Sequence, residues 1–174
     1  EKSISEITDL YAKLGLEIFP VKRKTKIKKI KDYFSIFLGS GALYDSRKLE
    51  VILREEFSKD NIAFKMEDSR TRLCIPSIDI TNGKVRVYKT PHSVIIPREE
   101  TYSADRDKEM WQVAMATSAA PTFFKPANVK SSYFVDGGLW ANNPSLVGVI
   151  EGLKTGFDLE EIYLLSLGTG ETTF

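Results

Sequence analysis

Helices and buried strands alternate along these 174 residues, and that alternation predicts an α/β fold. Three observations carry it. Apolar residues recur with helical period at Ile4, Ile7, Leu10, Tyr11 and Leu14, and again at Leu49, Ile52, Leu53 and Phe57. Short β-prone runs occupy Arg72–Ile80 and Val85–Tyr88, and Asn82-Gly83 between them is a hairpin signal. A continuous apolar run, Ile162–Leu167, reads as a buried parallel strand.

The elements follow in order. Ser3 and Glu6 form a capping box at the start of the first helix, and Gly15 and Pro20 punctuate its end. A basic run, Lys22–Lys31, comes next, with only Ile27 and Ile30 apolar within it. A loop, Phe37-Leu38-Gly39-Ser40-Gly41, leads into a second helix opened by Asp45 or Ser46. The hairpin follows, then a polar stretch from Thr90 to Asp107. Met110, Val113 and Ala114 suggest a short helix running into Ala116–Pro121. Asn143 and Pro144 open a last helix as N-cap and first residue, with Leu146, Val149, Ile150 and Leu153 on its inner face and Gly156 as C-cap. No internal repeat or interdomain linker interrupts this order, so residues 1–174 read as a single domain.

Composition narrows the function classes. Lys+Arg 25 against Asp+Glu 24 leaves a formal charge of +1, which favours no particular partner. Cys74 is the single cysteine, so neither an internal disulfide framework nor a cysteine zinc site exists, and a reducing compartment fits. No run approaches the roughly 20 apolar residues of a membrane helix. The chain starts at Glu1 without Met, from which we expect upstream sequence to be missing.

The most informative residue is Asp136, in Tyr133-Phe134-Val135-Asp136-Gly137-Gly138-Leu139-Trp140-Ala141-Asn142-Asn143-Pro144. It follows an apolar strand and precedes two glycines. Burial there raises the pKa of a carboxyl group, whereas backbone amides of the turn stabilise its charged form. A carboxylate so held suits general-base work, and Gly137 and Gly138 would permit positive φ and close approach. The alternative is an Asp that simply caps a turn.

Three blocks bear on that choice: Ala116–Phe124, Phe134–Pro144 and Leu165-Ser166-Leu167-Gly168-Thr169-Gly170. In wording, order and spacing they resemble the last three motif blocks of the patatin-like phospholipases. Weaker similarity runs through Tyr44–Phe57 and Ile78–Lys89. The wording is closest to bacterial members, some of which act as effectors in nucleotide-signalled antiviral defence. The resemblance implies a three-layer α/β/α sandwich with a mainly parallel central sheet, here lacking its N-terminal elements. It also implies lipid acyl hydrolysis by a Ser–Asp dyad with Asp136 as base, and no metal or organic cofactor. The family's serine sits in a Gly-x-Ser-x-Gly elbow, a pattern absent from these residues. We therefore expect the nucleophile upstream, with Ser3 and Ser5 just after it, and this chain alone to be inactive.

The remaining polar features take structural readings. His92 is the lone imidazole and sits in a polar loop, and a Ser–Asp dyad does without it. Ser118 lies in a small-residue patch that favours close packing, and Ser40 lacks the context of an elbow. Gly168-Thr169-Gly170 lacks the lysine and hydroxyl of a phosphate loop, although it leaves a nucleotide-binding α/β domain as a rival reading. The glycines are expected to let the strand end pass the Asp136 turn. Lys22–Lys31 is a solvated face, a contact to an anionic membrane, or a phosphate contact. With a phospholipid substrate the membrane contact is the expected partner of a cytoplasmic, peripherally associated protein. No nucleic-acid partner is expected, because no aromatic residue interleaves with the run. A catalytically dead lipid- or partner-binding module is the other rival.

Overall fold

The structure, a computed structural model, describes residues 2–20, 41–91 and 105–170. The basic run Lys22–Lys31, the loop residues Phe37–Ser40 and His92 lie outside the described residues.

Helix α1 spans Ile4–Ile18, and the expected capping box is present: Glu6 N–H donates to Ser3 Oγ at 3.3 Å and Ser3 N–H donates to Glu6 Oε2 at 2.6 Å. Its periodic face remains open, with Ile4 and Tyr11 exposed and no α1 residue fully buried. Helix α2, Ser46–Glu56, starts where Asp45 accepts the Arg47 N–H at 2.9 Å. Its face is as expected, with Leu49 and Ile52 buried and Leu53 and Phe57 packed behind them. A two-stranded hairpin follows, β1 Ser58–Lys59 and β2 Ile62–Ala63. Its turn residues Asp60 and Asn61 both have positive φ, the geometry of a two-residue hairpin turn, and short polar side chains tolerate it.

The main sheet has four strands in the order β4-β3-β6-β5: β3 Cys74–Asp79, β4 Lys84–Lys89, β5 Ala127–Val129 and β6 Ser132–Asp136. The Asn82-Gly83 signal is borne out, in a turn of four residues. Asp79 accepts the Thr81 and Asn82 N–H groups, and Gly83 supplies the left-handed φ of 63°. Every described strand pair is antiparallel, where a mainly parallel sheet was expected. Connectivity dictates two of the three pairings in the main sheet: β3–β4 and β5–β6 are joined by tight turns, which leave no length for a crossover.

Helix α3, Met110–Ser118, is the centre of the packing. It buries Trp111 and Met115 against Leu49, Phe124 and Ala127, and turns Val113 and Ala116 toward Met66, Tyr88, Val129 and Phe134. It is thus clamped between α2 and the sheet, and burial of a side chain the size of Val113 or Met115 contributes about 1.5–3 kcal/mol. Of the expected Met110, Val113 and Ala114 only Val113 belongs to this buried set, because a helix buried on two sides has no single apolar stripe.

Beyond β6, a short helix α4, Gly138–Ala141, leads to α5, Ser145–Lys154. The start of α5 is shifted by one residue from the expectation: Pro144 is the N-cap rather than the first helical residue, and Asn143, one position earlier, accepts the Ser145 N–H at 3.1 Å. Thr155 is the C-cap, and Gly156 follows it with φ 91°. Its inner face is not the one expected. Leu146, Ile150 and Leu153 are exposed, while Glu151 is buried and pairs with Lys89 at 2.7 Å. An ion pair between β4 and α5 has oriented the helix, and hydrophobic period alone does not carry that information. Ile162–Leu167 is also corrected. It forms no strand among the described residues and leaves Leu165 79% exposed. It runs beside α5, with Ile162 against Gly152 and Asn143 Nδ2 donating to Ser166 Oγ at 3.3 Å.

Candidate active site

Asp136 is the last residue of β6 and pairs in register with Ser77 of β3. Its neighbours Phe134 and Val135 are buried, and the carboxylate itself is half-buried. Asp136 Oδ1 accepts the Gly138 N–H at 2.6 Å, so the expected turn amide does hold it. Among the described residues no cation pairs with this carboxylate, and its second oxygen has no hydrogen-bond partner.

The two glycines act through space rather than through unusual dihedrals. Gly137 has φ −64° and Gly138 begins α4, so the expected positive φ is not used. A β-carbon at Gly137 would lie 2.5 Å from the carbonyl carbon of Pro76 and closer still to its oxygen. At Gly138 it would lie 3.0 Å from Asp136 Oδ1. Close approach, the other half of the expectation, is what the turn requires.

The turn is fastened to α3 and β3. Asp136 N–H donates to Ala119 O at 3.1 Å and Gly137 N–H donates to Thr117 O at 3.3 Å. Thr117 Oγ1 donates to Pro76 O at 2.7 Å. The hydroxyl of Ser77, fully buried, lies 2.9 Å from both Ala116 O and Val135 O, with one proton to give them. Pro76 suits its place at the end of the β3–β6 ladder. Its carbonyl faces the turn, and proline has no N–H to leave unpaired on that side.

Of the other expected features, Ser118 is structural: its hydroxyl donates back to Ala114 O within α3 at 2.6 Å. Gly168 and Gly170 stand in open space rather than against the Asp136 turn. Ser3 and Ser5 occupy the head of α1, Ser3 as its cap. Cys74, half-buried at the start of β3, has its thiol pKa pushed up, first by burial and then by Glu151. Among the described residues no cluster of His, Cys, Asp or Glu has the makings of a metal site, and no helix is long and apolar enough to cross a membrane. Sequence reasoning passed over Ser77 and Thr117. A signal was present for Ser77, a hydroxyl inside the isoleucine-rich run Cys74-Ile75-Pro76-Ser77-Ile78, where burial demands a partner.

Comparison with known proteins agrees with the motif blocks. The chain is 32% identical over 181 residues to a cGAMP-activated phospholipase of Vibrio cholerae, covering 97% of this chain and 47% of that protein. It is 29% identical over 174 residues to rabbit calcium-independent phospholipase A2-gamma, covering 96% of this chain and 21% of that protein. A probable inactive patatin-like protein 9 of Arabidopsis thaliana is 30% identical over 143 residues, covering 75% of this chain and 35% of that protein. The chain thus spans less than half the length of these relatives. The family model for patatin-like phospholipase matches residues 2–147, and the chain belongs to that family.

Proposed function

We propose that these residues are part of the patatin-like domain of a phospholipase A-type acyl hydrolase in which Asp136 is the base of a Ser–Asp dyad. The observation that carries the reading is the carboxylate itself. It ends a buried strand, one oxygen is fixed by a backbone amide, and the other is left without a partner among the described residues. Such a group is held in one orientation, and a serine hydroxyl within reach of the second oxygen would lose its proton to it. The serine would then attack an ester carbonyl of a glycerophospholipid. The proton would pass from Asp136 to the leaving alcohol, and water would release the fatty acid from the acyl-enzyme. No Gly-x-Ser-x-Gly occurs in the 174 residues, and in this reading the nucleophile and its oxyanion loop would come from sequence outside them, without which the chain would not turn over substrate.

In this reading residues 1–174 form one incomplete domain, a portion of a three-layer α/β/α sandwich. Lys22–Lys31 would bring a cytoplasmic enzyme to an anionic membrane, each lysine adding about 1 kcal/mol near the surface. The name of the Vibrio cholerae relative suggests cGAMP as the activator. The test is fatty-acid release by the full-length protein from phosphatidylglycerol–phosphatidylethanolamine vesicles with and without cGAMP. Asp136→Asn should lower the rate by at least ~10³-fold, in line with losses seen for catalytic acids and bases. A wild-type rate in that variant overturns the assignment. The likeness to a probable inactive patatin-like protein gives the binding-module reading its footing, and an upstream sequence without a serine elbow would favour it.

A further inference from the structure

We infer that the hydroxyls of Thr117 and Ser77 are positioning groups for Asp136, acting on the carboxylate through the backbone of its turn without touching substrate. The inference rests on the reading of Asp136 as the base. The turn hangs from the C-terminal end of α3 by two amide bonds, Asp136 N–H to Ala119 O and Gly137 N–H to Thr117 O. Where the carboxylate lies therefore depends on where that end of α3 lies relative to β3. Thr117 and Ser77 set this distance. Thr117 Oγ1 reaches across to Pro76 O, and Ser77 Oγ reaches Ala116 O on one side and Val135 O on the other.

These hydroxyls are conspicuous chemically. Ser77 is fully buried in a strand that otherwise favours apolar residues inside, and a buried hydroxyl costs free energy unless bonded. Both its acceptors are main-chain carbonyls that flank the site, one immediately before Thr117 and one immediately before Asp136. Full burial also keeps Ser77 from reaching a lipid ester, so it is not a nucleophile. The Thr117 bond occupies the carbonyl against which Gly137 packs, and together they fix the far side of the turn. Without the hydroxyls the fold has other ties, through the strand ladder and the buried core. What is lost is the registry of the turn, and displacement of a catalytic group by about 1 Å can cost ~10²-fold in rate.

The experiment uses the full-length protein with cGAMP and the same vesicles, comparing Thr117→Val, Thr117→Ser, Ser77→Ala and Asp136→Asn. Thr117→Val is expected to lower kcat by ~10–100-fold with KM within ~2-fold, and Thr117→Ser to recover most of it. Added to Asp136→Asn, Thr117→Val should change the residual rate by less than ~2-fold, because both act on the same group. A wild-type kcat in Thr117→Val overturns the proposal. So does an equal fall in the presence and absence of the Asp136 carboxylate, which would mark a structural effect elsewhere. If Thr117→Val shows no cooperative melt, Ser77→Ala carries the same comparison under the same criteria. Failure of the underlying reading is separable, since it appears in Asp136→Asn alone.

Discussion

Gly137 lies so close to the carbonyl of Pro76 that no side chain fits between the Asp136 turn and strand β3. Gly137→Ala must therefore push two backbones apart, and we expect a loss of about 1–3 kcal/mol in urea unfolding. At Gly138 an added β-carbon meets side-chain rather than backbone atoms, Asp136 Oδ1 at 3.0 Å and Asn142 Oδ1 at 3.4 Å, so Gly138→Ala should cost less stability while displacing the carboxylate. Equal destabilisation by the two substitutions would contradict this account.

Asp105 is another place where a single group holds two elements. Its side chain is nearly inaccessible, pairs with Arg86 of β4, and accepts the Lys89 N–H at 3.2 Å. Asp105→Ala would strand both donors, and we expect about 2–3 kcal/mol of destabilisation. Arg86 is partly exposed, which lets water take over some of the loss and keeps the figure below that of a fully buried pair. Chemical denaturation of the variant measures it.

Cys74 gives a pH dependence whose sign follows from burial. Its thiol is raised above the ordinary 9.0 in the folded state, so above that value the unfolded chain releases a proton that the folded chain keeps. Stability is unaffected below the ordinary thiol pKa and falls as pH rises from there toward the higher folded value. Cys74→Ala should flatten that part of the stability–pH curve. At pH 7.5 the native thiol should react with a disulfide reagent more slowly than in urea.

Thr122 has φ 70°, left-handed backbone that a β-branched residue adopts at a cost of about 1–2 kcal/mol. Its carbonyl accepts the Leu43 N–H at 2.9 Å, which fixes the loop beneath the aromatic group of Tyr44, Phe123 and Phe124. Thr122→Gly should hold or raise the melting temperature, because relieved strain offsets the greater freedom of glycine in the unfolded chain. A drop of more than a few degrees would show that the side chain, rather than the backbone, matters there.

These cases mark what the sequence could and could not disclose. Local chemistry was legible: the Ser3–Glu6 capping box, the Asp45 cap, the Asn82-Gly83 turn and the Gly156 terminus all appear where expected. So was the strand-to-turn setting of Asp136. Features set by distant partners were not. Glu151 faces inward because Lys89 meets it, and α3 lacks a readable stripe because both its sides are covered. The reason for Gly137 is likewise Pro76, sixty-odd positions earlier, and not a dihedral visible in the local pattern.

The fastenings of the Asp136 turn end on the main-chain carbonyls of Pro76, Ala116, Thr117, Ala119 and Val135. Every residue type carries that oxygen. Evolutionary drift in the side chains of Ala116, Ala119 or Val135 therefore leaves the address of the carboxylate intact so long as the packing volume is kept. What resists drift is shorter: two hydroxyls, one proline and one glycine. A lineage can rewrite much of this neighbourhood and still deliver the acid to the same point in space.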